Sequence, residues 1–263
     1  MIRSTRASLM QLTSRNYLLA GLGCSFVLAL VTVMLYVGST DEAVEERGPL
    51  GDSATPEMIA SSEGLALALG STISLVGLVL MAVSASAVAS DYSTGMIRIL
   101  AVRQPGRFRL IAGKALALAL ATLVATALVV ATTIGAAVAF APSDVDTGQW
   151  FTSAGLRALA EASVNYFVAA LGWVVFGQFL ATVTRSAVVA LATGVLVAIP
   201  LDLVLTDTVE STRPWLPGQL FQAVARGGTR NLEYGSSLAT VMIAGFLLMA
   251  VSFMVFHRRD ITA

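Results

Sequence analysis

The stretch from Gly106 to Ala115 comes closest to a nucleotide-binding loop. Six residues separate Gly106 from Gly113, and Lys114 and Ala115 follow. A phosphate-binding loop needs a shorter spacing between its glycines, and a Ser or Thr after the lysine to hold magnesium. Because Ala115 has no hydroxyl, the sequence predicts no ATP or magnesium site of this kind. We expect no cofactor in this chain.

Side chains suited to acid–base, nucleophilic or metal chemistry are scarce. The one histidine, His257, stands beside Arg258 and Arg259 at the end of the last apolar stretch. Such a position favours a side chain that reaches from the membrane interface into water. The single cysteine, Cys24, can form neither an internal disulfide nor a zinc site on its own. We therefore expect no catalytic residues and no metal ligands, and a protein that is not an enzyme.

Three polar residues interrupt the apolar stretches: Asp202, Gln178 and Asn165. An ionisable residue inside a membrane-spanning helix is a candidate functional residue. Asp202 lies near the end of its stretch, and Pro200 should kink or fray the helix there. Two interpretations follow for Asp202: an acid at the outer interface, which we favour, or a polar group that lines an outer gate. Gln178 and Asn165 allow hydrogen bonding between helices, which we favour, or the same role in a conduit.

Six apolar stretches must position these residues. Hydrophobic residues make up 56% of the 263 residues and charged residues 12%, whereas soluble domains have about a quarter charged. Each stretch has roughly 20 residues or more, enough for a helix to cross a bilayer core of about 30 Å. We expect an all-α, polytopic membrane protein with one transmembrane domain over residues 1–263. The predicted spans are Tyr17–Val37, Gly64–Ala89, Ala115–Phe140, Val164–Val183, Ser186–Leu205 and Ser237–Phe256.

The charges of the connecting segments predict the orientation of the spans. With a cytoplasmic N-terminus, the inner segments carry eleven of the 16 Lys and Arg residues, and the outer segments carry five. This is the asymmetry of the positive-inside rule. Both termini are therefore predicted to be cytoplasmic. Thr184 and Arg185 alone join the fourth and fifth spans, so these two spans should form an antiparallel pair.

The segment between the second and third spans, residues 90–114, has the pattern of a short amphipathic helix. Ser93 or Thr94 can cap its start, and Pro105 with Gly106 ends it. Cations flank the segment on both sides. Composition leaves two interpretations open: a basic loop that lies on anionic lipid, or a surface that docks another protein. The apolar positions of the predicted helix are Met96, Ile97, Leu100 and Ala101.

This loop resembles the cytoplasmic loop of type-2 ATP-binding cassette (ABC) permeases. The family pattern is an acid, Tyr, two variable residues, Gly, Thr, an aliphatic residue, Arg and then Leu, followed by a Pro-x-Ser-Arg element and Gly-Lys. Met96 stands here in place of the Thr, and Gly106 in place of the Ser. The ending 258–262 and the six-span topology are also similar to the family. The matching residues read Asp91-Tyr92-x-x-Gly95-Met96-Ile97-Arg98-x-Leu100, Pro105-x-Arg107 and Gly113-Lys114.

The resemblance implies the permease subunit of an exporter in the bacterial cell membrane, a multi-pass subunit for efflux. Two copies of a separate ABC ATPase would bind ATP and magnesium, and a second permease copy or a homologous permease would complete the transporter. Membrane lipids would surround it, and no nucleic acid is involved. The loop would be the coupling helix, and residues 1–16 a connecting helix. The ATPase-coupling residues carried over from the family are Tyr92, Gly95, Met96, Ile97, Arg98 and Leu100.

The last outer loop, residues 206–236, contains a second short helical pattern. Pro217 suits a helix start, and Leu220, Phe221 and Val224 follow at helical spacing. We predict an amphipathic helix against the outer membrane face. Members of the resembled family place a partly re-entrant element at this position. Trp215 is expected to be an interfacial anchor.

Two alternatives belong to other functional classes. An integral-membrane signalling or scaffolding protein would use the basic loop to bind lipid or a regulatory partner, and would transport nothing. A proton-coupled transporter would need buried acids near the middle of its spans, where the sequence has none. The cargo of an exporter is not encoded in any motif, although the Ala-, Val- and Leu-rich spans favour a hydrophobic or amphipathic molecule.

Overall fold

A computed structural model describes residues 17–38, 55–94, 107–142, 145–208 and 210–258. Over these residues every regular element is a helix, and there is no strand. The predicted connecting helix at 1–16 and most of the coupling loop, including Gly95, Met96, Ile97, Arg98 and Leu100, lie outside the described residues. So does the ending 259–263.

Ten α-helices follow one another in the described part of the chain. A π-helical segment, Val197–Leu201, joins two of them, and a 3-10 segment, Glu210–Trp215, precedes a third. The helices are α1 (Tyr17–Gly38), α2 (Pro56–Ala60), α3 (Gly64–Ser71), α4 (Ile73–Ser93), α5 (Arg107–Phe140), α6 (Ser153–Thr184), α7 (Ala187–Leu196), α8 (Asp202–Thr208), α9 (Pro217–Ala225) and α10 (Tyr234–Arg258).

Five of these helices are long and apolar enough to cross a membrane: α1, α4, α5, α6 and α10. They correspond to five of the six predicted spans, and they indicate a multi-pass membrane protein. The fifth predicted span, Ser186–Leu205, differs from the others. It is divided into α7, the π-helical segment around Pro200 and α8. Pro200 has no amide hydrogen to donate, which explains why regular α-helical bonding stops there.

The second predicted span, Gly64–Ala89, is also divided. The helix breaks at Thr72, and the long apolar helix runs from Ile73 to Ser93 instead. The Thr72 hydroxyl lies 2.8 Å from the Leu69 carbonyl oxygen and 3.0 Å from the Tyr166 hydroxyl, all buried. These bonds fix the break against the middle of α6. The apolar pattern continues through the break, so hydropathy alone does not reveal it.

The core of the bundle is built around α4 and α6, which pack along most of their lengths. Small residues permit this close approach, as is common between helices in membranes. A Cβ atom at Gly77 would overlap the buried indole of Trp173, and one at Gly177 would overlap the backbone of Met81. Helices α5, α7, α9 and α10 also contact α6, whereas α1 packs on α4 and α5.

A tight turn connects α6 and α7, as predicted from the two-residue connection. Arg185 has the left-handed backbone conformation, with φ of 56°, and ends α6. The Ser186 side chain then accepts a hydrogen bond from the Val189 amide at 3.4 Å and caps α7. The two helices contact each other after this reversal, as an antiparallel pair must.

Candidate functional site

The two ends of the candidate coupling loop are joined by a buried ion pair. Asp91 lies in the last turn of α4, and Lys114 lies in α5, 23 residues later. The Lys114 ammonium donates to the Asp91 carboxylate, and it also donates to the Ala87 carbonyl at 2.6 Å. The two side chains are only 12% and 9% exposed. We call this contact the loop clamp, because it fixes the points where the chain leaves and re-enters the bundle.

Tyr92 links the clamp to the turn between α6 and α7. The guanidinium carbon of Arg185 lies 5.9 Å from the centre of the Tyr92 ring, within the range of a cation–π contact. Arg185 is exposed, and Tyr92 is half-buried. Of the six predicted coupling residues, Tyr92 is the one that lies in the described part of the chain. The α6–α7 turn therefore contacts the same end of the bundle as the loop clamp.

Ser93 and Thr94 act on α4 rather than on a following helix in the described structure. Their hydroxyls donate to the Ser90 carbonyl at 3.2 and 2.6 Å. The Ser90 carbonyl also accepts a hydrogen bond from the Thr94 backbone amide at 3.0 Å, so the hydroxyls add to the bonding at the C-terminal end of α4. The helix that either residue was predicted to cap lies outside the described residues.

Away from the loop clamp, Asp202 contacts the start of α9. Its Oδ2 accepts a hydrogen bond from Gln219 Nε2 at 3.0 Å. Asp202 is only 7% exposed, and its Oδ1 makes no hydrogen bond. Asp202 is thus buried within the protein, and its location at the outer membrane interface stays a prediction.

Glycine at position 218 allows this contact. A Cβ atom there would lie 2.8 Å from Asp202 Oδ2 and 3.3 Å from the carbonyl oxygen of Ala198. The first distance is shorter than real Cβ contacts, so a larger residue would push the carboxylate away. Gly218 therefore brings the start of α9 against both α8 and the π-helical segment.

The predicted amphipathic helix is confirmed as α9, with Pro217 in its first turn. Its apolar face is buried against the protein bundle, not merely laid on a membrane face. The rings of Phe221 and Trp173 have centroids 4.9 Å apart, and a Cβ atom at Gly172 would overlap Phe221. Trp173 lies eleven residues before Thr184, the end of α6, a rise of roughly 17 Å. Helix α9 therefore packs near the middle of a long apolar helix.

The other two predicted path residues lie apart from Asp202. The Asn165 side-chain oxygen accepts a hydrogen bond from the Tyr234 hydroxyl at 2.8 Å, which confirms the expected bond between helices. Gln178 is buried on α6, 13 residues from Asn165 and thus roughly 20 Å along the helix. The three residues do not form one polar cluster. Asp202 meets Gln219 in the α8–α9 region, and Asn165 meets Tyr234 at the start of α10.

Sequence reasoning missed four residues of these sites. Lys114 and Asp91 were part of the recognised pattern, but their pairing was not foreseen, although opposite charges at the two ends of one loop were a usable signal. Gln219 and Arg185 carried no comparable signal, since their partners are distant in sequence. The described residues contain no group of three or more His, Cys, Asp or Glu side chains able to hold a metal ion.

A comparison with curated proteins finds no significant match. A protein-family model, described as "Protein of unknown function (DUF2705)", matches residues 58–262. This range covers well over half of the chain and includes the loop clamp, Asp202 and α9. It excludes α1 and the residues before it. On the strength of this match, the chain belongs to the DUF2705 family.

Proposed function

We propose that this protein is the membrane subunit of an exporter driven by a separate ABC-type ATPase. The observation that carries the proposal is the loop clamp. The Asp91 and Lys114 side chains, the acid and the lysine of the pattern that resembles a coupling loop, form one buried ion pair. A loop whose two ends are fixed in this way can transmit a push from a partner to α4 and α5.

Two further features support a transport role. Tyr92, at the clamp, contacts Arg185 in the α6–α7 turn, so movement of the loop would reach a third and a fourth helix. Helix α9 packs among the long apolar helices beside Trp173, as a short element that closes a path would. Helices α7, α8 and the π-helical segment together span 22 residues, Ala187 to Thr208. They would form a sixth crossing of about 30 Å.

In this proposal the loop faces the cytoplasm, both termini are cytoplasmic and the membrane is the bacterial cell membrane. Two ATPase copies bind below two permease copies, or below this chain and a similar permease. ATP and magnesium are held by the ATPases alone. Closure of the ATPase dimer moves the loops, and helices α4, α5 and α6 carry that movement toward α9. The cargo, expected to be hydrophobic or amphipathic, leaves for the outside.

Co-purification from detergent-solubilised native membranes tests the proposal. Gly95→Trp and Arg98→Glu alter the loop, and Arg157→Glu is the matched control. Arg157 lies at the other end of α6, where its side chain is 82% exposed and pairs with Glu161. We expect the wild type and the control to retain an ATPase with a phosphate-binding loop, and both loop variants to lose it.

The contrary result is also informative. If folded wild-type protein recovers no such ATPase, the exporter proposal fails. The alternative of a signalling or scaffolding protein, whose basic loop binds lipid or a regulatory partner, would then replace it.

A further inference from the structure

The chain folds back on itself between Val197 and Ala225, and we call this segment the re-entrant hairpin. It contains the π-helical segment, α8, the 3-10 segment and α9. Thr212 donates a hydrogen bond to the Leu205 carbonyl at 3.3 Å, across the bend. Because of this bend, Gly218 at the start of α9 returns to the level of Ala198 and Asp202. The two arms of the hairpin are therefore in contact at Gly218.

The start of α9 lacks a cap from its own sequence. Leu216 is the residue before the helix, and it makes no side-chain capping bond. The first amides of an α-helix have no partner within the helix, and an amide buried away from water is costly to leave unsatisfied. Asp202 caps this end from another helix through the Gln219 side chain, whose Nε2 donates to Asp202 Oδ2 at 3.0 Å.

A charged residue of favourable sign lies at each end of α9. The amino end of a helix carries a partial positive charge and its carboxyl end a partial negative charge. Asp202 lies at the amino end, and Arg226 is the residue that ends α9 at the other. Both interactions have the favourable sign. They hold a helix of nine residues, which is too short to be stable alone.

One oxygen of the Asp202 carboxylate lacks a hydrogen bond, and this favours a contact that can break. Asp202 Oδ1 is buried and makes no hydrogen bond. A buried acceptor without a donor is a penalty of the packed state, and exposure to water removes that penalty. The buried faces of Leu220, Phe221 and Val224 oppose release. The position of α9 is thus set by a polar contact at one end and an apolar face along its length.

We propose that Asp202 is a positioning residue whose contact with Gln219 holds α9 inside the bundle. Loss of the contact lets α9 leave its position beside Trp173 and admits water at the end of the bundle opposite the loop. Within the proposed transport function, on which this reading of the movement rests, the contact is the closed state of the outer gate. The contact itself depends on this chain alone.

Maleimide labelling of cysteine reporters tests this inference. The native Cys24 is exposed on α1, so all reporters are placed in a Cys24→Ser background. Ala223→Cys reports on α9, where Ala223 is fully buried, and Ala190→Cys reports on α7, where Ala190 is 1% exposed. The purified chain is reconstituted in lipid nanodiscs, which leave both faces open to a water-soluble maleimide. The rate of labelling is measured for each reporter.

Three substitutions are each compared with the reporter chain in which Asp202 is unchanged. Asp202→Ala removes the cap, and we expect labelling at Ala223→Cys to rise about tenfold, as loss of a helix cap allows. Asp202→Asn keeps an acceptor for Gln219 and should give a smaller rise. Glu233→Ala removes an exposed acid after α9 and should change nothing. Labelling at Ala190→Cys should stay slow in every case.

Two results would overturn the inference. Unchanged labelling at Ala223→Cys in Asp202→Ala would show that the contact does not hold α9. An equal rise at both reporters would show that Asp202 supports the whole fold and not α9 in particular. No ATPase is present in this assay. A failed co-purification would therefore not change the labelling result. Each proposal can fail without the other.

Discussion

The Lys114 ammonium is paired with the Asp91 carboxylate across the base of a loop, with both side chains largely buried. Lys114 also donates to the Ala87 carbonyl one turn earlier in α4. One cation therefore joins the start of α5 to the last two turns of α4. This arrangement fixes the distance between the two helices from which the loop emerges.

Removing one member of the loop clamp should destabilise the protein strongly. Lys114→Met removes the ammonium that pairs with the Asp91 carboxylate, and Asp91→Leu removes the carboxylate that pairs with the Lys114 ammonium. We expect each single variant to lower the free energy of unfolding by about 3–5 kcal/mol. The double variant should lose clearly less than the two losses added together, because no uncompensated charge remains.

Thermal unfolding of the detergent-solubilised protein measures these differences. Strict additivity of the two single losses would show that the two side chains do not interact. The loop clamp would then have to be abandoned.

Arg185 combines a favourable contact with an unfavourable backbone conformation. Its positive φ favours glycine, while its guanidinium contacts Tyr92. Arg185→Ala loses the contact, worth about 0.5–1 kcal/mol at an exposed site, and keeps the strained backbone. Arg185→Gly loses the same contact but relieves a strain of about 1 kcal/mol. We expect the Gly variant to be the more stable of the two, by comparison of their unfolding temperatures. The reverse order would contradict the backbone assignment.

Close packing of α4 against α6 should make Gly77 intolerant of side chains. Gly77→Val forces the buried Trp173 indole to move, and overpacking of this kind costs about 1–3 kcal/mol. Gly245→Ala in α10 is the matched control, since a Cβ atom there meets no heavy atom within 4 Å. Unfolding in detergent should separate the two variants, with the control as stable as the wild type. Equal stability of both would show that the two helices are farther apart than described.

Loss of the indole N–H donor of Trp150 should lower the free energy of unfolding. Its Nε1 donates to the Ile59 carbonyl at 2.7 Å, and a Cβ atom at Gly64 would come within 2.7 Å of the same nitrogen. Trp150→Phe leaves that buried carbonyl without its partner, a loss of about 1–3 kcal/mol. Trp215→Phe, at a tryptophan that is 77% exposed, is expected to change the free energy of unfolding little. A similar loss in both variants would refute the assigned bond.

Hydropathy predicted most of the fold because the spans depend on a property that each residue carries by itself. Tyr17–Val37 is found within α1 with nearly the predicted ends, and Ala115–Phe140 lies within α5, which ends as predicted but begins earlier, at Arg107. The breaks at Thr72 and Val197–Leu201 were harder to place. Pro200 signalled the second break, whereas the first depends on the Tyr166 hydroxyl, 94 residues away, which no local pattern contains.

The candidate sites were predictable to different degrees for a similar reason. The start of α9 at Pro217 follows from proline's restricted backbone, a local property. The cap that Asp202 provides for α9 arises because the chain bends back between them, so its partner Gln219 could not be read from spacing. The apolar side of α9 was recognised, but its position beside Trp173 depends on the packing of α6.

Photo-cross-linking at the loop tests the central claim most directly. A benzoylphenylalanine residue is placed at Ile97 in the loop, and in a parallel sample at Phe151, which is 56% exposed at the opposite end of α6. After irradiation of intact cells, the cross-linked partners are identified by mass spectrometry. Our account predicts an ATPase with a phosphate-binding loop at position 97 and none at position 151. Cross-links from position 97 to lipid or to other proteins, without an ATPase, would contradict it.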